Sequence, residues 1–385
     1  MNKRIHILFS TGVFPPNLGG PGKIVEGLAQ ELKDLDYSPT VITLGDNDKI
    51  ERSYKVERVS FSMPQPFRFA ILFLKTFILA PKNDIIYTTD NYSNGFSAAI
   101  ASKFLNRPLI VRFTGDSVWE SAFNDGKTNS YITHFQNQEH DLLTKIKIWR
   151  RNFILKTSKK IITDCEFLKN LVISFGIDSD KITVINNAVD QDTQIDYKNK
   201  KNTIFTMARL VPWKGMNTLI QAIPEIKKEI PDVKLLIAGD GPQMSELKKL
   251  VNDLKLEGSV QLLGKITNKD KKQKIYSESS VFILNTFYEG MSNAILEAMA
   301  KSLPVIASKS GGNTEFVDNE SGILVDYNNS QQITKAVIEL LTQKEKAKTL
   351  GQKAKQKSSK YTWEALVEKN IKLITSVIAN KRTRE

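Results

Sequence analysis

Two glutamates, Glu289 and Glu297, lie eight residues apart on either side of an expected helix start. The apolar run 281–284 before them has the pattern of a buried strand. Ser292 and Asn293 are good N-cap residues and predict that a helix begins there. Because free backbone N–H groups and the positive end of the helix dipole attract anions, this stretch predicts a site for an anion such as a diphosphate.

Two cations, Arg209 and Lys214, could bind the same kind of anion. Arg209 follows the apolar strand pattern 203–208, and Lys214 comes five residues later, just before a helix pattern. A guanidinium engages two phosphate oxygens and an ammonium acts as a mobile point charge, so the pair could stabilise a leaving phosphate without a metal. The alternative is a pair of surface residues that form salt bridges.

The elements that must position these residues alternate between strand and helix in both halves of the chain. The first half opens with a strand pattern at 4–10, a Gly/Pro-rich loop at 11–22 and a helix pattern at 23–35. The alternation predicts an α/β protein with parallel sheets covered on both faces. The 385 residues are too many for one ordinary core. We therefore expect a domain at 1–190, a polar linker at 191–202 and a second domain at 203–362.

Four motifs in the second half resemble those of the retaining nucleotide-sugar glycosyltransferases of family four, and they occur in the family's order. They are Met-Ala-Arg-Leu-Val-Pro-Trp-Lys-Gly at 207–215, Ile-Ala-Gly-Asp-Gly-Pro at 237–242, Leu-Gly at 263–264, and the Glu-x7-Glu stretch within 287–300. The resemblance implies the GT-B fold, in which two Rossmann-like domains face each other across a cleft. It also implies that the last helix, within 363–385, crosses back to the first domain.

The resemblance also implies a role for each site residue around a nucleotide-sugar donor. Glu289 would be catalytic and face the sugar hydroxyls, and Glu297 would hold the ribose hydroxyls, which a carboxylate can accept. The residues expected around the donor are Gly20, Arg209 and Lys214 for the diphosphate, Glu289, Gly290, Met291 and Ser292 for the sugar, Glu297 for the ribose, and Leu263, Gly264 and Lys265 for the base.

One position departs from the family. Many members have a histidine near the end of the strand expected at 108–113, where it contacts the donor sugar, but this chain has Thr114-Gly115-Asp116. Ligands of open α/β sheets bind beyond the carboxyl ends of the strands. Asp116 is therefore predicted to make the second catalytic contact, to the sugar or the acceptor. The alternative is a turn residue or a helix cap.

The function implied is hexosyl transfer with retention of configuration from a UDP- or GDP-sugar to a saccharide or lipid-linked saccharide, in polysaccharide or glycolipid synthesis. No metal or other cofactor is expected, because Asp46-Asn47-Asp48 fits a polar turn better than a magnesium site. Two alternatives stay open: a nucleotide-sugar epimerase or hydrolase-like enzyme on the same fold, and a basic nucleic-acid-binding protein.

Two basic, apolar stretches could meet an anionic membrane. In 67–82, Arg68, Lys75 and Lys82 are spaced by seven and would form one stripe on a helix. The stretch 142–163 has seven Lys or Arg residues and no acid. A core helix and a scaffold helix are the respective alternatives. No nucleic-acid partner is expected.

The expected location is the cytoplasm, with peripheral attachment to the inner face of the cytoplasmic membrane as an open possibility. The single cysteine, Cys165, fits a reducing compartment. No stretch reaches the ~20 apolar residues of a membrane-spanning helix.

Overall fold

The computed structural model describes residues 4–16, 19–48, 50–191 and 201–382. These residues form two compact units, each built on its own parallel sheet. The first unit takes its residues from Met1–Ala122, Ile132–Ala188 and Trp363–Glu385, and the second from Phe123–Tyr131 and Val189–Thr362. Most of the expected linker, residues 192–200, lies outside the described residues.

The first unit has seven strands in the order β3-β2-β1-β4-β5-β6-β7, all parallel. Its strands are β1 (His6–Thr11), β2 (Ser38–Leu44), β3 (Lys55–Val59), β4 (Ile85–Thr88), β5 (Leu109–Phe113), β6 (Lys160–Thr163) and β7 (Ile182–Val184). Its α-helices within the first 190 residues are α1 (Gly20–Asp34), α2 (Gln65–Leu79), α3 (Ser93–Phe104), α4 (Ser117–Asn124), α5 (Ile132–Phe135), α6 (Leu142–Thr157) and α7 (Glu166–Ser174). Short 3-10 turns follow α2 at Ala80–Lys82 and precede β7 at Ser179–Lys181.

The second unit has six parallel strands in the order β10-β9-β8-β11-β12-β13. They are β8 (Thr203–Met207), β9 (Lys234–Ala238), β10 (Val260–Gly264), β11 (Val281–Leu284), β12 (Val305–Ser308) and β13 (Gly322–Val325). The helices are α8 (Met216–Glu229), α9 (Met244–Asp253), α10 (Lys269–Glu278), α11 (Asn293–Ala300), α12 (Asn313–Phe316), α13 (Ser330–Thr342) and α14 (Lys344–Ser358). A 3-10 turn at Pro212–Lys214 precedes α8.

The last helix, α15 (Trp363–Arg382), packs on the first unit. Its residues Leu366, Ile374 and Val377 belong to the same buried apolar cluster as residues of α1 and β1. Asn370 accepts a hydrogen bond at Oδ1 from the Tyr87 hydroxyl, at 3.1 Å. The first unit is therefore built from segments near both ends of the sequence.

Each sheet reverses its strand order at one place, between β1 and β4 in the first unit and between β8 and β11 in the second. In open parallel sheets, ligands bind beyond the carboxyl ends of the strands at such a switch point. The central strands of both sheets are largely buried, as in parallel sheets between helices, whereas the edge strands β3 and β10 are mostly half-buried. The predicted class of two Rossmann-like, doubly wound sheets is confirmed.

None of the helices in the described part of the chain is long and apolar enough to cross a membrane.

Candidate active site

Two loops of the second unit meet at its switch point, one after β8 and one after β11. The Trp213 carbonyl accepts hydrogen bonds from the Phe287 amide at 2.7 Å and from the Thr286 hydroxyl at 3.2 Å. Asn285 Nδ2 donates to the Gly215 carbonyl at 3.0 Å. Gly215 has a φ of +53°, and a Cβ there would lie 2.3 Å from Asn285 Nδ2, so only glycine allows this approach. The two loops are thus held side by side.

This contact brings Lys214 and Glu289 together, two residues that lie 75 positions apart in the sequence. The Lys214 ammonium donates to Glu289 Oε2 in a salt bridge. The Lys214 side chain is 10% exposed and that of Glu289 is 22% exposed, so the pair is accessible to a ligand without being a surface contact. Arg209 is exposed at the same end of β8, with its guanidinium carbon 5.5 Å from the centre of a Trp213 ring.

The backbone of Glu289 is fixed by the turn that follows β12. The Gly312 amide donates to the Glu289 carbonyl at 3.0 Å. Gly311 has a φ of +53°, and a Cβ there would lie 2.1 Å from the Glu289 carbonyl oxygen. The Gly311 amide donates in turn to the Tyr131 hydroxyl at 2.9 Å. Burial raises the pKa of Tyr131, so this hydroxyl stays protonated at neutral pH.

Tyr131 belongs to a segment that the sequence analysis missed. Residues 123–131 begin with the last two residues of α4 and cluster with the second unit, whereas the earlier part of α4 belongs to the first. The Tyr131 ring lies 5.3 Å from that of Phe287, and the Phe123 ring lies 5.8 Å from that of Trp213, both at edge-on angles that favour aromatic pairs. The two ends of this segment therefore pack on the loops that carry Lys214 and Glu289.

Helix α11 begins where the sequence predicts. Ser292 is its N-cap, and the Ser292 hydroxyl accepts a hydrogen bond from the Ile295 amide at 3.4 Å. Gly290, Met291 and Ser292 are buried in the turn between Glu289 and the helix. Their expected contacts with the sugar or phosphate stay predictions.

Glu297 is held by two side chains of α10. Lys272 Nζ lies 2.8 Å from Glu297 Oε1, and the Tyr276 hydroxyl lies 3.3 Å from Oε2. Burial, and after it the charge of Glu297, raises the pKa of Tyr276 well above its usual value. Sequence reasoning missed both partners, because the run Lys269-Asp270-Lys271-Lys272 reads as a solvated helix face.

The residues expected to contact the base end strand β10. Gly264 has a φ of +67° and open space where a Cβ would stand, and its carbonyl accepts from the Gly239 amide at 2.9 Å. Leu263 is half-buried and Lys265 is exposed. In the first unit, Gly20 is the first residue of α1 and is exposed. The ligand contacts of these four residues stay predictions.

Asp116, predicted to contact the sugar or the acceptor, lies in a buried ion pair. Its carboxylate is fully buried, lies 2.6 Å from Arg151 Nη1, and accepts from Gln136 Nε2 at 3.1 Å and from the Val118 amide at 3.1 Å. Arg151 also donates to Gln136 Oε1 at 3.0 Å. All of these partners belong to the first unit, so the alternative interpretation, a cap at the start of α4, describes Asp116 better than a contact with sugar or acceptor.

A second aspartate, which the sequence analysis did not single out, lies at the switch point of the first unit. Asp90 follows β4, and its Oδ1 accepts from the Tyr92 amide at 2.5 Å. A Cβ on Gly12, which follows β1, would lie 2.3 Å from Asp90 Oδ2. Desolvation raises the pKa of Asp90 in spite of backbone hydrogen bonds and the charge of Arg150. A carboxyl group with a raised pKa at a switch point is a candidate for a functional residue.

The basic stretch 142–163 does not present its cations as one face. Arg151 is buried against Asp116, and Arg150 stacks on the Tyr92 ring with its guanidinium carbon 3.5 Å from the ring centre. Lys147 donates to the Ser121 hydroxyl at 2.7 Å. Three of its seven cations thus hold the first unit together, which weakens the support for a nucleic-acid-binding function.

The described residues contain no group of three His, Cys, Asp or Glu side chains that could hold a metal ion. In the Asp46-Asn47-Asp48 turn, the Asp48 carboxylate bonds to both Arg52, at 2.9 Å, and Arg58, at 2.6 Å. Transfer without a metal remains a prediction.

Comparisons with known proteins agree with this geometry. The model of the family "Glycosyl transferases group 1" matches residues 190–357, and that of "Glycosyltransferase Family 4" matches residues 18–193. A Campylobacter jejuni protein, N-acetylgalactosamine-N,N'-diacetylbacillosaminyl-diphospho-undecaprenol 4-alpha-N-acetylgalactosaminyltransferase, is 30% identical over 67% of this chain and 71% of its own length. The chain belongs to the group 1 glycosyltransferases.

Two further proteins are similar to this group 1 glycosyltransferase. The GDP-mannose-dependent alpha-(1-6)-phosphatidylinositol monomannoside mannosyltransferase of Mycobacterium tuberculosis is 29% identical over 50% of the chain, and the chain spans about half of that enzyme's length, 52%. The crystal structure of Anabaena HepE in complex with UDP and glucose superposes with a TM-score of 0.79, at 19% identity, over 97% of this chain and 100% of that one. The predicted family is confirmed, and so is the GT-B class of fold.

Proposed function

We propose that this group 1 glycosyltransferase moves a hexosyl group from a UDP- or GDP-sugar to a saccharide carried on a lipid. The observation that carries the proposal is the Lys214–Glu289 pair at the switch point between β8 and β11. Glu289 lies four residues before the first residue of α11, Asn293. The pair supports the proposal because a cation, a carboxylate and the N-terminal end of a helix adjoin at the sheet edge where open α/β sheets bind ligands.

The cations and the carboxylate of this site would stabilise opposite charges as the bond between the sugar and the diphosphate breaks. Negative charge grows on the leaving phosphate, where Lys214, Arg209 and the α11 N-terminus would stabilise it. Positive character grows on the sugar ring, beside the carboxylate of Glu289. With these charges supplied by the protein, the transfer needs no metal. Retention of configuration, by attack on the same face, is the outcome that the family resemblance supports.

Asp90 takes the acceptor contact that the sequence analysis assigned to Asp116. It lies at the switch point of the first unit, and its raised pKa suits a group that accepts a proton from an attacking hydroxyl. Asp116 is unsuited to this contact because Arg151 and Gln136 occupy its carboxylate.

The names of similar proteins support the classes of donor and acceptor. The mycobacterial enzyme is named for GDP-mannose and a phosphatidylinositol mannoside, the Campylobacter enzyme for an undecaprenol-linked saccharide, and HepE was crystallised with UDP. We extend both classes to this chain, with the reaction at the cytoplasmic side of a membrane and in the synthesis of a cell-surface polysaccharide or glycolipid.

Calorimetric titration with nucleoside diphosphates and their sugars tests the donor site. Binding of one nucleotide in EDTA, unchanged by added Mg²⁺, is expected, and Lys214→Ala should weaken it by about tenfold or more, since a charged hydrogen bond contributes about 1.5–3 kcal/mol. Lys248→Ala, an exposed lysine of α9, is the matched control. If no nucleotide binds the wild-type protein, the proposal fails.

Transfer to a lipid-linked saccharide, followed by NMR at the new anomeric centre, tests the reaction and its stereochemistry. An α-linked donor should give an α-linked product. Epimerised or free sugar formed at the same rate with and without acceptor would instead identify the epimerase or hydrolase-like enzyme considered from the sequence.

A further inference from the structure

Three helices of the first unit lie side by side, with α3 packed against both α2 and α6. The sequence separates α2 from α6 by more than sixty residues, but the fold joins them through α3 into one surface. We call the outward side of α2, α3 and α6 the three-helix surface. Its composition differs from that of an ordinary solvated surface in two respects.

The first is its exposed apolar side chains. On α6, Leu142, Ile146 and Trp149 recur at spacings of four and three, which is one helical stripe, and each is at least half exposed. A helix of a water-soluble domain normally turns its apolar stripe inward and its charges outward. Here the inward side of α6 carries Arg151, paired with the buried Asp116, while the apolar stripe faces out.

The stripe on α6 has a counterpart on the neighbouring helices. Phe67, Leu74 and Ile78 of α2 are each more than half exposed, and Phe104, the last residue of α3, is 76% exposed. Single exposed apolar residues are ordinary, but a cluster of aromatic and aliphatic side chains on three adjacent helices marks an interaction site.

The second respect is charge. Neither α2 nor α3 nor α6 contains an aspartate or a glutamate. Exposed lysines flank the apolar side chains on all three elements, at Lys82 just after α2, at Lys103 on α3 and at Lys145 on α6. Asp141, the N-cap of α6, is exposed beside Leu142, but within the three helices exposed Phe, Leu, Ile and Trp are combined with lysines alone, which is complementary to an anionic lipid surface.

The cations near α2 are arranged differently from the stripe that the sequence predicted. The expected stripe of Arg68, Lys75 and Lys82 is not continuous, because α2 ends at Leu79 and Lys75 pairs with Glu57 at 2.9 Å. Arg68 Nη1 donates to the Phe61 carbonyl at 3.3 Å. The outward side of α2 is therefore apolar, and the cations around it come from its neighbours as well.

We propose that the three-helix surface docks on an anionic lipid bilayer, with its aromatic and aliphatic side chains in the acyl boundary and its lysines among the phosphates. Phe and Trp bring most of the apolar area, at about 150–250 Å² for each side chain. Each lysine near the surface adds an attraction to anionic lipid. In this mode of attachment the helices lie in the plane of the membrane surface and do not cross the bilayer.

Vesicle co-sedimentation of the whole protein tests the proposal. The wild-type protein should bind vesicles of phosphatidylcholine with about 30% phosphatidylglycerol and bind pure phosphatidylcholine at least about tenfold more weakly, since the attraction depends on anionic lipid. Fluorescence of Trp149 should be quenched by brominated acyl chains, whereas Trp119 and Trp213 are buried in the protein.

Two variants separate the apolar from the charged contribution. Leu74→Gln combined with Trp149→Gln should lose vesicle binding about tenfold or more, because each change removes apolar area from the lipid. Lys82→Glu combined with Lys103→Glu and Lys145→Glu should lose the preference for anionic lipid. Leu254→Gln, a partly exposed leucine of the second unit, is the control and should bind like the wild-type protein.

Three outcomes would overturn the proposal: no binding of the wild-type protein to anionic vesicles, equal binding by the Leu74/Trp149 variant, or a self-association that this variant abolishes in the absence of lipid. The last would assign the surface to a second copy of the chain. No donor or acceptor enters the assay, so its result is independent of the proposed transfer reaction.

Discussion

Lys272 Nζ lies 2.8 Å from Glu297 Oε1, and the two residues come from different helices, α10 and α11. The carboxylate that we expect to hold the ribose is therefore already oriented by a lysine and, at its other oxygen, by the Tyr276 hydroxyl at 3.3 Å. A carboxylate has about four lone-pair sites, so two ribose hydroxyls can be accepted without loss of these partners.

Glu297→Gln should weaken donor binding by about tenfold, because an amide presents one acceptor oxygen in place of two charged ones. Titration with the nucleotide identified for the wild-type protein measures this change. Glu278→Gln is the control, since that residue ends α10 in an exposed pair with Lys274. Equal affinities of the two variants would remove Glu297 from the binding site.

Tyr131→Phe should lower kcat about fivefold while changing the KM for the donor less. The variant keeps the ring contact with Phe287 but leaves the Gly311 amide without its acceptor, which costs about 1 kcal/mol. The turn that fixes the Glu289 backbone is thereby loosened. Steady-state kinetics against Tyr361→Phe, whose ring packs on Phe316 instead, provide the comparison. A kcat equal to that of the control would show that the hydroxyl does not position Glu289.

Asp90→Asn should mainly lower the transfer rate, whereas Asp116→Asn should mainly lower the free energy of unfolding. Asp90→Asn should lower the transfer rate by about a hundredfold, within the usual range for loss of an acid–base group, and change the free energy of unfolding by less than about 1 kcal/mol. Asp116→Asn leaves the buried Arg151 without its counter-ion and should lower that free energy by about 3 kcal/mol.

Urea unfolding and transfer assays on both proteins decide between these two roles. A folded, stable and fully active Asp90→Asn protein would exclude Asp90 from the reaction. A stable but inactive Asp116→Asn protein would restore the role predicted for Asp116 from the sequence.

Asp318 should contribute to stability at neutral pH but not in acid. Partial burial acts to raise its pKa, but hydrogen bonds from Lys357 and Ser321 and the charge of Lys357 outweigh this and lower the pKa to about 2. A depressed folded-state pKa gives stability that is present above about pH 4 and lost as the pH falls toward 2.

Asp318→Asn should therefore lower the free energy of unfolding at pH 7 by about 1 kcal/mol, a value reduced for the half-exposed side chain. The difference from the wild-type protein should shrink as urea unfolding is repeated from pH 5 to pH 3. Asp253→Asn, at an exposed position of α9, is the control. A difference that is the same at pH 3 and pH 7 would contradict the assignment.

Local signals in the sequence predicted the strand and the helix start on either side of Glu289, whereas the ligand contacts of this region stay predictions. The cap at Ser292, the strand pattern at 281–284 and the glycine at 215 act within a few residues of themselves, so their consequences can be read without a model of the whole fold. The Lys214–Glu289 contact follows from two such loops because the ends of adjacent parallel strands meet at one edge of a sheet.

The sequence does not reveal contacts between residues that are distant along the chain. The ion pair of Asp116 with Arg151 joins residues 35 positions apart, and Arg151 lies within a stretch that contains seven cations and no acid. Strand β3 was not predicted, and its burial pattern is largely intermediate, as befits an edge strand. The segment 123–131 is polar in its middle, and only its two aromatic ends, Phe123 and Tyr131, indicate packing.

The position of α15 also has a consequence for how the chain is made. Residues 363–382 complete the apolar cluster around α1 and β1, and the Trp363 ring fills the space beside Gly27. A ribosome synthesises all of the second unit before it reaches this helix. Until then, Val25 and Leu28 lack part of their final cover. The second unit can thus finish folding first, and a fragment ending near residue 188 would expose an apolar face that promotes aggregation.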